Sequence, residues 1–390
     1  MLLRTAIKNI LGAGRRTWLN VAVLSFVFVL MVAYNGILDG FMKNAVTSAR
    51  EWDAAYGQLW SEHYDPYDIF TLQDAHEPIP EELNRAITAQ SITPVLLSQA
   101  TAYQGGNMQN ILLRGIDPEQ HILKIPSKEL ASDETGAIKA VIGKRMANTL
   151  KAAPGDNLLI RWRDKYGAFD AREIVIASIF DSNTATIDAG QIWISLDNLR
   201  QMTQMQGEAT YFVLSKESSI RQNIGTWVYK DTDFLLNDLY LMEQSNRVES
   251  VIIFSILLAV ALLAVFDTQT LSIFRRQKEI GTYVALGMTP KRVTRLFTLE
   301  GTSYSILAIL ISFIWGTPVL YWFAKTGLKL PEGYAEMGLG MGDAMYPVYQ
   351  PSSILTSIIL IVVLSMLISY IPSRKIAKSN IVEALKGRIN

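Results

Sequence analysis

Residues 274–293 read FRRQKEIGTYVALGMTPKRV, a basic segment punctuated by Gly281, Gly287 and Pro290 and set between two runs of almost unbroken apolar residues. If those runs cross a membrane, the segment is a loop held between two spans, and length decides the point. The run before it, 248–266, and the run after it, 304–323, each supply about 20 mostly apolar residues, which is what a hydrocarbon core of about 30 Å requires of a helix. Further windows of the same kind lie at 18–37 and 354–371. A buried helix of a soluble domain has no need of such lengths. The fold class expected is therefore a membrane protein with four transmembrane α-helices, one plus three, and a large α+β extracytoplasmic domain between the first and second spans.

Composition agrees with that reading. The 390 residues are 49% hydrophobic and 18% charged, with a formal net charge of zero, so no global basic field points to nucleic acid. The opening MLLRTAIKNILGAGRRT carries Arg4, Lys8, Arg15 and Arg16 without an acid, like the start of a signal peptide. Its apolar run is too long and no small-residue cleavage site follows, which predicts an uncleaved anchor. Arginine and lysine also set the orientation. The middle loop holds Arg275, Arg276, Lys278, Lys291, Arg292 and Arg295, and the tail holds Arg374, Lys375, Lys378, Lys386 and Arg388, whereas the loop between the third and fourth spans offers only Lys325 and Lys329. Both termini and the middle loop are expected in the cytoplasm, and about 200 residues after the first span are expected outside it, enough to bury a core of their own. The absence of cysteine leaves that domain without disulfides and excludes thiolate metal sites.

The domain boundaries expected are 1–40 for the N-terminus and first span, 41–247 for the exported domain, and 248–390 for the remaining spans with a cytoplasmic helix at 278–287. Inside 41–247, TPVLLSQATAY and NMQNILLRGID flank a Gly105-Gly106-Asn107 turn as one hairpin, and NLLIRWR and AREIVIASIF flank KYGAF as another. VIGKRMANTL and QIWISLDNLRQM each read as a strand running into a short helix, with Ser195 as N-cap of the second. A helix is expected from Phe234 to Arg247, leading into the second span. Catalytic chemistry finds no support. His63, His76 and His121 lack a ligand spacing, the acids around Asp65, Asp68 and Asp74 lack the order and glycine of a calcium loop, and no G-x-S-x-G occurs. Gly136 and Gly143-Lys144 are spaced too far apart for a P-loop, and Arg145 stands where Ser or Thr would hold magnesium.

In the opening stretch, Ile280, Tyr283, Val284 and Gly287 fall at helical spacing, one stripe suited to the membrane surface or to a protein partner. Gly287 is placed to end that helix in the left-handed region, Thr289 to cap the next, and Pro290 to occupy its first turn. Val293, Leu296, Phe297 and Glu300 then repeat the stripe.

KEIGTYVALG, the Pro-Lys-Arg turn and LFTLEG together resemble the short cytoplasmic helix of the FtsX-like/MacB-type ABC transporter permease superfamily, whose text runs close to R-x-x-E-I-G-x-x-R-A-L-G and then F-x-x-E-G. The ending YIPSRKIAKSNIVEALKG is similar to that superfamily's close, Y-P-x-x-x-A-x-x-x-P-V-E-A-L. Val284 stands where arginine is common, Ile381 where proline is common, and Arg275 where glutamate is common. In the exported part, ILLRGIDPEQ and IGKRMANTLKAAPGDNLLI resemble the LolC/LolE lipoprotein-releasing branch.

The resemblance implies a multi-pass inner-membrane permease with a periplasmic domain, paired with a second permease, identical or homologous, and with separate LolD-like ATPase subunits. Those subunits would bind ATP and magnesium, leaving this chain without cofactor, metal or catalytic residue of its own. It places Glu279, Ile280, Gly281, Ala285, Leu286, Gly287 and Pro290 at the ATPase, although close packing and helix termination account for the glycines equally well. The lipoprotein-release branch implies acyl chains entering between the first and second spans, with Phe26, Phe28, Met31, Tyr34, Asn35, Phe254 and Leu257 as substrate residues and a periplasmic carrier downstream. Lipid-facing or helix-packing roles stand beside that for each of them. The alternatives within the superfamily are MacB-like mechanotransmission for efflux or secretion of periplasmic substrates, and FtsX-like regulation of a cell-wall hydrolase.

Overall fold

The structure, a computed structural model, describes residues 15–131, 136–182, 185–329 and 344–377. Arg4, Lys8, Lys378, Ile381, Lys386, Arg388 and most of the closing motif lie outside the described residues. The chain divides into two units, Met1–Phe41 with Glu243–Leu328 and Met345–Asn390, and Met42–Met242 with Lys329–Ala344.

The first unit holds helix α1 (Arg15–Ala49), α2 (Asn237–Arg275), α3 (Gln277–Ala285), α4 (Pro290–Thr326) and α5 (Pro351–Ala377). Among the described residues four helices are long and apolar enough to cross a membrane, and these are all of them except α3. α1 and α4 run parallel, since the Ser25 and Ser312 hydroxyls meet at 2.8 Å and, one turn on, a Cβ on Gly316 would press on Val29. α1 and α2 run antiparallel: Asn20 Nδ2 donates to the Ala264 carbonyl at 3.2 Å, while Tyr34 meets Phe254 edge-on at 5.5 Å. Leu24, Phe28, Met31, Leu258, Val265 and Tyr304 are buried in the core that results. The serine and asparagine bonds matter because no water reaches such positions to satisfy polar groups. α2 remains helical through Asp267, Thr268 and Gln269. It starts later than expected. A short turn at Thr232–Leu235, N-capped by Asp231, ends at Leu236, and the long helix begins at Asn237.

The second unit is built on a nine-stranded sheet. Its strands are β1 (Gln58–Ser61), β2 (Ile92–Gln104), β3 (Asn107–Ile116), β4 (Lys139–Gly143), β5 (Asn157–Arg163), β6 (Phe169–Phe180), β7 (Gln191–Ser195), β8 (Tyr211–Leu214) and β9 (Trp227–Lys230). The order is β9-β1-β8-β2-β3-β7-β4-β6-β5. β5 then pairs back onto β2, Ala100 facing Trp162 and Tyr103 facing Leu159, so β2 through β7 close into a ring. The length of β2 makes this possible, because its first residues pair with β8 and its last with β5. Both expected hairpins are present. Gly105 and Gly106, at φ +55° and +84°, form the two-residue turn between β2 and β3, with Asn107 already in the strand.

Alternation along β5 buries Leu158, Ile160 and Trp162 and exposes the residues between them. Those side chains join Ile174, Ile176, Ile192 and Ile194 in one apolar core, sealed by the helix Leu196–Thr203. Ser195 caps that helix as expected, accepting from the Asn198 amide at 3.3 Å. A second core on Trp52, Val95, Leu97 and Trp193 contains a buried cation. Arg114 Nη1 donates to Asp53 Oδ1 at 2.7 Å and to the Tyr211 hydroxyl at 3.0 Å, and its guanidinium stacks 5.1 Å from the Trp193 ring. Burial pushes the Tyr211 phenol up, and pushes that of Tyr64, stacked on it, up to about 12, with Arg114 opposing both shifts.

Candidate functional site

The opening stretch folds as an elbow between α2 and α4. Arg276 interrupts the helix at φ −101° and ψ 19°, and its side chain then ties the three helices together. Nε donates to Glu279 Oε2 at 2.7 Å, and Nη1 donates to both oxygens of Glu300, at 3.1 and 3.0 Å. The guanidinium lies 5.2 Å from the Phe297 ring centroid. Behind it Ile273, Ile280, Val293 and Phe297 form a small buried core, with Val284 and Met288 packed against it.

α3 ends in a Schellman motif. The Met288 amide donates to the Tyr283 carbonyl and the Gly287 amide to the Val284 carbonyl, both at 3.0 Å. The geometry needs a left-handed residue, and Gly287 supplies it at φ +91°. Thr289 takes the extended backbone of an N-cap, but its side chain makes no capping hydrogen bond, contrary to expectation; Pro290 occupies the first turn as expected.

The stripe Ile280, Tyr283, Val284 therefore turns toward its own chain and not outward. Ile280 and Gly281 are buried. The hydrophobic effect accounts for this, because α3 has α4 close at hand to cover its apolar side. The opposite side is presented outward: Glu279, Ala285, Gly287 and Pro290 are exposed, and Leu286 shows 80% of its surface. Of the residues assigned to ATPase coupling, five are thus exposed and two, Ile280 and Gly281, are buried. Arg276 was not among them. Its signal in the sequence was an arginine followed three residues later by Glu279, with Glu300 in the F-x-x-E-G text. Each letter of that text now has a role: Phe297 lies under the guanidinium, Glu300 binds it, and Gly301 sits where a Cβ would overlap the Ser369 hydroxyl and the Gln269 amide. Among the described residues the buried Gln269 amide and the hydroxyls of Ser365 and Ser369 find no hydrogen-bond partner.

The residues assigned to substrate separate as well. Phe28, Met31 and Phe254 are buried inside the bundle, and Leu257 packs at its margin, so they present no open face in this conformation. Asn35 lies beside Asp39, Tyr349 and Ser353, in the second half of α1. Phe26 and Tyr34 instead line an apolar groove of about 350 Å³ between α1 and α4, with Leu30, Ala33, Trp315 and Trp322. Trp315 is anchored by its Nε1, which donates to Ser25 Oγ at 2.8 Å. Sequence reasoning missed the wall supplied by α4, because nothing local shows that residues 25 and 312 are neighbours.

Four membrane helices, a sheet-rich region after the first, and a short helix exposed between the second and third define a multi-pass membrane protein. Residues 251–381 match the FtsX-like permease C-terminal family. The lipoprotein-releasing system transmembrane protein LolC of Xylella fastidiosa strain 9a5c is 23% identical over 323 residues, covering 75% of this chain and 76% of its own. The ABC transporter permease YtrF of Bacillus subtilis strain 168 is 24% identical over 221 residues, 51% of this chain and 50% of its own. The solved extracellular domain of the ABC-type transporter YknZ from Gram-positive bacteria aligns with 42% of this chain and 84% of its own at 12% identity and a TM-score of 0.26, too low to bear on the fold. The chain thus carries an FtsX-like permease C-terminal domain and is similar to ABC transporter permeases, LolC among them. Permeases of this family are transport subunits that work with a partner ATPase.

Proposed function

We propose that this permease couples ATP hydrolysis by a separate, LolD-like ATPase to the extraction of lipoproteins from the inner membrane and their release toward a periplasmic carrier. The observation that carries the reading is the reach of the similarity to LolC, which extends over 75% of the chain and so runs beyond the FtsX-like third into the sheet-rich unit. In this reading the protein pairs with a second permease, its termini and α3 face the cytoplasm, and the sheet-rich unit faces the periplasm, in keeping with the basic residues of the elbow.

The exposed side of α3 is the coupling surface. Glu279, Ala285, Leu286, Gly287 and Pro290 meet the ATPase, while Ile280 and Gly281 hold the helix on α4 from behind. Arg276 keeps Glu279 in place and, through Glu300, joins α3 to α4. A displacement of α3 by the ATPase then reaches α2 and α4 as one body, as coupling through a rigid element requires. The ATPase supplies ATP, magnesium and the bond-breaking chemistry.

The test is reconstitution of the full chain with its ATPase and partner permease, followed by transfer of a labelled triacylated lipoprotein to a soluble carrier. ATP-dependent transfer supports the reading. ATP turnover without transfer removes lipoprotein release and leaves MacB-like mechanotransmission or FtsX-like hydrolase regulation, which substrate efflux and cell-wall hydrolysis assays then separate.

A further inference from the structure

The groove between α1 and α4 has features that cargo extraction does not require. Its lining is apolar throughout, from Phe26 and Leu30 to Trp322, and it lies within the membrane-spanning lengths of both helices, where hydrocarbon is the surrounding medium. Its inner end is closed: the Ser25, Ser312 and Trp315 bonds draw the helices together there, and Gly316 lets Val29 approach. Farther along the groove Ala33 is the smallest residue of the lining. Trp322, 63% exposed, and half-buried Tyr34 stand at the opposite end, side chains suited to a membrane–water boundary. Lys325 follows Trp322 by three residues, hence on the same side of α4, and is exposed.

We propose that this groove is a binding site for an anionic phospholipid of the surrounding bilayer, one acyl chain lying between α1 and α4 and the phosphate meeting Lys325. A slot closed at the inner end by the Ser25 bonds fits a chain whose head lies at the opposite rim, beside Trp322 and Tyr34. Lys325, on the same side of α4 as Trp322, favours a negatively charged head. A lipoprotein's acylated N-terminus carries no phosphate, so Lys325 discriminates between the two lipids. The bound chain fills the space between the two helices beyond the Ser25–Ser312 contact.

The experiment uses the full-length permease in phosphatidylcholine nanodiscs containing a photoreactive phosphatidylglycerol, with cross-linked peptides mapped by mass spectrometry. Label is expected to concentrate on residues 26–37 and 315–323, and unlabelled phosphatidylglycerol should displace it about fivefold better than phosphatidylcholine, the order expected for one basic side chain at an anionic surface. Lys325→Gln should abolish that preference while leaving the labelled positions unchanged. Ala33→Trp, which fills the slot, should lower labelling of both segments at least about tenfold against unchanged labelling of residues 359–367 on α5, the loss of more than one buried methylene. Lys325 is exposed and its variant does not threaten folding, so the proposal remains testable if Ala33→Trp fails to fold. Even labelling of all exposed helix faces, equal displacement by phosphatidylcholine, or stronger displacement by a triacylated lipopeptide overturns the proposal.

Discussion

Replacing Leu286 by lysine should separate coupling from folding. With 80% of its surface exposed, this leucine contributes almost nothing to the folded permease, and lysine at a helix C-terminus is favourable toward the helix dipole. Stability should therefore stay within about 0.5 kcal/mol of native. Full burial of a leucine is worth about 1.5–3 kcal/mol, so the four-fifths still available to a partner amounts to about 1.2–2.4 kcal/mol. Lost entirely, that weakens ATPase binding about 8- to 60-fold, and the cost of desolvating the new ammonium adds to it. The assay is equilibrium binding of the purified ATPase to the permease in nanodiscs, with thermal unfolding measured in parallel. Ile280→Ala is the counterpart, because it removes part of the buried elbow core and should cost about 2–5 kcal/mol of stability. Binding of Leu286→Lys within twofold of native, or a melting temperature that falls as far as that of Ile280→Ala, would refute the assignment of an outward coupling face.

Three further outcomes are expected. Arg276→Met strands the Glu300 carboxylate, whose side chain is 4% exposed, and should destabilise the elbow by about 3 kcal/mol, whereas Arg276→Met combined with Glu300→Leu should recover most of that loss in thermal unfolding; a double variant as unstable as the single one counts against the pair. Gln269→Leu replaces a buried amide that has no partner by an apolar group of similar size, so thermal unfolding should be unchanged or shifted upward, and a loss above about 1 kcal/mol would show that the amide is bonded after all. The Tyr64 phenol, raised to about 12 by burial, favours the neutral form in the folded state, so its contribution is complete below pH 10.0 and lost as pH rises through 12; tryptophan fluorescence of the full chain across that window should fall less steeply in Tyr64→Phe, and an equal slope refutes the assignment.

The membrane helices were legible because length and apolar content alone decide them, and the hairpins because Gly105-Gly106 and the 157–163 alternation are local signals. The elbow was legible in outline: Gly287 and Pro290 mark its corners by backbone geometry that few other residues supply. Which way its stripe faced was not, since the same spacing of Ile280, Tyr283 and Val284 suits lipid, a partner or α4, and only the fold shows α4 within reach. Closure of β5 onto β2 was hidden for the same reason, as strand pairing between Ala100 and Trp162 leaves no mark in either segment. The substrate residues failed to separate in the sequence because Phe26 and Phe28 are alike in type, while a two-residue step on a helix carries one to the groove and the other to the core.

The bond between Ser25 and Ser312 also bears on how the protein is made. The two residues are 287 positions apart, so at typical synthesis rates of about 5–20 residues per second α1 is complete roughly 15–60 s before α4 exists. For most of that interval Asn20 has no Ala264 carbonyl to donate to, and until its end Ser25 has no Ser312 hydroxyl to meet. Until then the Ser25 hydroxyl can turn back only to a carbonyl of its own helix, as Ser312 does to Ala308, and the bond between α1 and α4 forms late in synthesis.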